Sequence, residues 1–140
     1  MIRIEALIEG EPDVLPFTKL FEFKDEDEPI FRNVIEMVRD KLSRNLKLNT
    51  HEALLVFCAH IISEIRSGKL ELQIICNSSK ILTRDNVLFG VPETLRQITF
   101  NITVDNLPKK IIRFIEPIPT ANYIMVDSDA IGVTNCEKRS

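Results

Sequence analysis

Tryptophan is absent from this chain, tyrosine occurs once, and glycine only four times, at positions 10, 68, 90 and 132. Glycines so far apart do not form the clustered loop whose backbone amides cradle a phosphate at a helix start, which excludes the common nucleotide motifs. Cysteine is sparse as well. Cys58, Cys76 and Cys136 are odd in number, widely spaced and without a C-x-x-C pair, so no disulfide framework, zinc motif or dithiol is indicated and reduced thiols are expected. The two histidines, His51 and His60, fall on one predicted helix, where nine residues at about 100° each turn them to opposite sides; they cannot share a metal from one face. No apolar run approaches the roughly 20 residues that cross a bilayer, the longest being residues 53–59, followed after His60 by Ile61 and Ile62. The opening Met1-Ile2-Arg3-Ile4-Glu5 carries neither an apolar h-region nor a small-residue cleavage site, so a cytoplasmic location is expected. The sequon-like Asn77-Ser78-Ser79 and Asn101-Ile102-Thr103 are then read as chance.

What the chain does have is the make-up of a globular domain. Hydrophobic residues are 44% and charged residues 28% of 140, enough to bury one core. The net charge of −3 is spread over mixed-sign segments with no basic stripe, which argues against nucleic acid as a partner, as the short apolar runs argue against a membrane.

Along the chain, Ile2, Ile4, Ala6 and Ile8 alternate with Arg3, Glu5 and Leu7, the period-two pattern of a strand, closed by Gly10. A second extended stretch is read over Phe17 to Phe23, compatible with a hairpin whose register these residues do not set. The acidic run Asp25-Glu26-Asp27-Glu28 before Pro29 suits the positive end of a helix dipole, so a helix is predicted from Pro29 to about Asn45, with Ile30, Val34, Val38 and Leu42 on its buried face. Asn49 and Glu52 have the spacing of a capping box opening a second helix, apolar on nearly every side from Ala53 to Ile65 and stopped by Gly68. A short helix is expected within Lys69 to Ser79, and a capped turn from Thr83 through Leu88, ended by Pro92. Ile98, Phe100, Ile102 and Val104, a turn at Asp105-Asn106-Leu107-Pro108, and Ile111 to Ile115 read as an antiparallel hairpin. The fold class is therefore α+β: a small bundle of about three to four helices followed by a hairpin, plus an N-terminal strand region. Residues 1–24 are read as an N-terminal extension, 25–118 as the main domain and 119–140 as an arm or tail.

No constellation of acid, base and nucleophile emerges. Cys58 sits inside the apolar helix, where a thiol behaves as a small hydrophobe, and the acidic run lacks the ligand loop and turn glycine of a cation site. No catalytic, cofactor-binding or metal residue is assigned.

Arg44-Asn45-Leu46-Lys47-Leu48-Asn49 resembles the segment R-G-L-K-L-N of the urease gamma subunit family, continued at Glu52-Ala53 as that family's E-A. Arg66 with Gly68-Lys69 is similar to its R-x-G-[KR]. Leu82-Thr83-Arg84-Asp85-Asn86-Val87 and Gly90-Val91-Pro92 are similar to its L-T-x-D-D-V-x-x-G-V-P, and Glu116-Pro117-Ile118 to its closing P-I. The blocks fall in the family's order at its spacing over about residues 30–118. Departures are Asn45 in place of a glycine, Thr50-His51 in place of an aromatic–proline pair, and a start whose L-T-P-R-E is not reproduced at Phe21 to Asp25.

The resemblance implies a non-catalytic structural subunit that packs with urease alpha and beta subunits, or their equivalents, into an oligomer. That complex hydrolyses urea to ammonia and carbamate; its nickel is held by the alpha partner, and no cofactor is bound by this chain. Contacts with partners are expected from Phe31 and Arg39 on the long helix, from Lys47, Leu48 and Asn49 at the corner, and from Phe100 and Ile102 in the hairpin. The alternative is a divergent binding or regulatory module without urease activity, self-associating through the N-terminal strand region and the tail.

Overall fold

The computed structural model describes residues 1–24 and 29–119, with backbone alone for 29–31. Strand β1 (Ile2–Glu9) turns Ile2, Ile4, Ala6 and Ile8 inward, because successive side chains on a strand point to opposite faces. It pairs antiparallel with β2 (Phe17–Phe23), Ile4 opposite Phe21, and on its other edge with β3 (Gln97–Val104), Ile4 opposite Ile102. β3 continues antiparallel into β4 (Lys110–Ile115), Phe100 opposite Ile112. The sheet order is β2-β1-β3-β4. The hairpin and the N-terminal strands are thus one sheet rather than a ribbon added to a bundle. A β3 edge left unpaired would expose a row of amides and carbonyls, and β1 satisfies it.

Among the described residues four helices accompany this sheet. Helix α1 (Pro29–Ser43) begins at the proline expected to open it; the acidic run Asp25 to Glu28 lies outside the described residues. It ends at Asn45, whose φ of 58° is the left-handed conformation asparagine tolerates. Helix α2 (Thr50–Arg66) starts on the expected capping box and is the centre of the core, with Leu54, Phe57, Cys58 and Ile61 fully enclosed. Its Phe57 ring meets Phe114 of β4 edge-on at 5.7 Å, and Phe114 meets Phe100 of β3 at 5.2 Å, which locks helix to sheet.

Helix α3 (Glu71–Cys76) occupies the expected short segment and buries Ile74. A single 3-10 turn follows Thr83, where the Asn86 carboxamide oxygen accepts the Thr83 amide at 2.8 Å and its hydroxyl at 2.9 Å. Pro92, expected to end this region, instead stands in the first turn of α4 (Val91–Thr94), where a missing amide breaks no helical bond. Ile2 to Ile8 join the same core as α2 and β3, so the division at residue 24 separates segments of sequence that share one core. Residues 120–140 of the expected tail lie outside the described residues.

Candidate subunit interface

The corner after α1 is tied down by backbone bonds between two distant segments. The Leu48 amide donates to the Asn86 carbonyl at 2.9 Å and the Leu88 amide to the Leu48 carbonyl at 2.9 Å, a parallel bridge of Leu48 with Val87. Lys47 Nζ donates to the Asp85 carbonyl at 3.1 Å from outside. Leu48 plugs the joint with no exposed surface. Asn49 accepts the Glu52 amide at 2.8 Å, while Glu52 accepts the Asn49 amide at 3.0 Å and the Lys41 ammonium at 2.7 Å. Burial would raise the Glu52 carboxyl, but the Asn49 amide and the Lys41 charge together outweigh it and hold the group below its ordinary value.

This rigid corner presents an apolar ridge. Phe89 is 99% exposed and Leu88 beside it 46%, and Gly90, at a φ of 89°, turns the chain sharply into α4. The ring stands between two hollows. One, of about 410 Å³, includes Lys47, Asp85 and Pro92; the other, of about 380 Å³, includes Val14, Leu15 and Phe17 from the β1–β2 connection. Leu15 is 86% exposed. Gly10 brings the two segments together: a side-chain carbon there would lie 2.8 Å from the Thr94 carbonyl oxygen. Contiguous exposed apolar side chains on a fixed backbone are the chemistry of a protein contact.

The residues expected to touch partners divide sharply. Arg39 is exposed on α1, and Lys47 and Asn49 are exposed at the corner, though both already bond within the chain. Leu48, Phe100 and Ile102 are corrected: at 0%, 0% and 1% exposure they are enclosed by this chain's own helices and sheet and offer no surface to another. Leu48 sits behind the bridge to Val87, and Phe100 and Ile102 are on the inward face of β3, where Phe100 packs on Phe114 of β4. The side chain of Phe31 lies outside the described residues. Leu15 and Phe89, outside that set, stand exposed, and Leu88-Phe89 before Gly90 fits neither a helical nor a strand period.

Reactive groups are quiet. Cys58 is wholly buried, which pushes its thiol upward and keeps it protonated. His51 packs its ring 5.7 Å from that of Phe21, and His60 Nε2 lies 3.9 Å from Glu64. Among the described residues no three His, Cys, Asp or Glu side chains converge as a metal site, and no helix is long and apolar enough to cross a membrane.

Residues 20–118 match the family model described as urease, gamma subunit. The chain belongs to the urease gamma subunit family. The match begins inside β2 and takes in every helix and the β3–β4 hairpin. Within this gamma-type chain, the blocks around Lys47, Asp85 and Gly90 are the two sides of the corner and the ridge it carries. Their physical role here is to set backbone shape. β1 lies outside the matched residues and yet forms an interior strand of the sheet.

Proposed function

We propose that this chain is a non-catalytic structural subunit of a urease complex, docking its Phe89 ridge against the partner subunits and fixing their relative placement. The observation that carries the reading is Phe89 itself. A fully exposed aromatic ring on a loop pinned by the Leu48–Val87 bridge loses little freedom when covered, so its burial contributes to affinity with small entropic loss. Lasting subunit contacts commonly bury more than about 2,000 Å², and Leu15, Val14 and Leu88 extend the apolar area around the ring. In this reading urea is hydrolysed to ammonia and carbamate at nickel in the alpha partner, in the cytoplasm. No step of the hydrolysis is assigned to residues of this chain in this reading. For the self-associating alternative, β1 offers no free edge, both being filled within the chain, whereas β2 of the same N-terminal region is an edge strand of the sheet.

Co-expression with the alpha and beta chains of a urease from the same source tests this. The expected result is a nickel-containing complex that retains the wild-type chain and loses Phe89→Asp. A wild-type chain that purifies alone or only with itself overturns the reading, as does undiminished retention of Phe89→Asp.

A further inference from the structure

A second concave surface lies along α1 and α2, sharing no lining residue with the hollows beside Phe89. The two helices leave a cleft between them instead of closing it. Ile35 and Leu42 of α1 and Val56 and Ala59 of α2 stay half-buried along its floor. Two hollows, of about 480 Å³ and 300 Å³, follow one another there and share Ile35, Arg39, Ala59 and Ser63.

The described residues lining the larger hollow include Arg32 and Arg39 from α1, Arg66 from α2 and the carboxylate of Glu36. Arg32 and Arg39 are two turns apart and so project from the same side of α1. Both guanidinium groups of α1 are exposed on the rim of that hollow. In the smaller hollow the lining includes His60, whose Nε2 is buried without a hydrogen-bond partner.

We propose that the α1–α2 cleft receives a helix of a partner protein that has an apolar stripe and acidic flanks. The half-buried floor calls for apolar side chains at helical spacing, and the guanidinium rim calls for carboxylates, which planar guanidinium groups bind in pairs of hydrogen bonds. The 15 residues of α1 span about 22 Å, the length of about four helical turns of a partner. This goes beyond the subunit role proposed above, because it gives the chemistry of a contact on a different face.

The test titrates the full chain with two synthetic helical peptides of about 18 residues, long enough for that span. Both carry leucine at every third or fourth position; one is flanked by glutamate and the other by lysine. The glutamate peptide is expected to bind at least about tenfold more tightly at low salt, with the preference shrinking as salt is added. The double variant Arg32→Glu/Arg39→Glu reverses the preference, Ala59→Trp blocks both peptides, and Phe89→Asp binds as wild type does. Circular dichroism and thermal melting confirm that each variant is folded. Equal or absent binding of the two peptides overturns the proposal, as does a preference that survives the double charge reversal. Concentration-dependent dimerisation that the double variant abolishes overturns it in favour of a second copy of this chain.

Discussion

The carboxylate of Glu52 accepts the ammonium of Lys41 at 2.7 Å, so the side chain that caps α2 also clamps it to α1. Removing both functions by Glu52→Ala is expected to lower stability by about 1–3 kcal/mol, read as a shift of the urea midpoint. Glu52→Gln keeps an acceptor for the Asn49 amide and loses the charge pair, so a smaller decrease follows.

The same pair sets a pH dependence. The folded protein holds the Glu52 carboxyl below its usual value of 4.5, so its contribution is complete above that value and disappears as pH falls through the lower, folded one. The stability difference between wild type and Glu52→Gln should therefore be constant near neutrality and narrow in acid below about 4.5. A gap that widens in acid contradicts this assignment.

Ile4 is flanked by Phe21 and Ile102 and fully enclosed. Ile4→Ala is expected to cost about 2–4 kcal/mol, whereas Leu7→Ala, on the open face of the same strand, costs under about 1 kcal/mol. Equal, negligible effects in thermal melts would make the N-terminal strand an appendage.

Two glycines fail for different reasons when replaced by alanine. At Gly10 the added carbon meets the carbonyl oxygens of Thr94 and Glu93 at 2.8 and 3.1 Å, so β1 and α4 must separate, at a cost of about 1–3 kcal/mol. At Gly68 there is open space, but a φ of 80° alone costs about 1 kcal/mol. Only Gly10→Ala should also weaken binding through the Phe89 ridge, because it moves one side of that surface against the other.

Phe89→Asp should leave the unfolding free energy essentially unchanged, within about 0.5 kcal/mol, since the ring touches so little of its own chain. A large loss of stability would assign Phe89 to the fold and remove it from the contact surface.

The elements most legible in the sequence are those whose cause is local. Asn49 and Glu52 satisfy each other three residues apart, Pro29 opens α1, Asn45 ends it, and alternation marks β1 and β3; each involves neighbours in the chain. Phe100 and Ile102 were recognised as an apolar face but assigned to a partner, because periodicity reveals that a face is covered without revealing what covers it. α2 is the cover.

Short-range chemistry in the chain itself settled the helix ends, the strand alternation and the gamma-type signature. Long-range packing alone placed β1 between β2 and β3, enclosed Leu48 behind Val87, and gathered Arg32, Arg39 and Arg66 on one rim. The reason is physical: a cap or a period is satisfied within a few residues, whereas the partner of a strand edge or an apolar face is chosen from the whole chain, by whichever distant segment removes the most apolar surface and unpaired backbone from water.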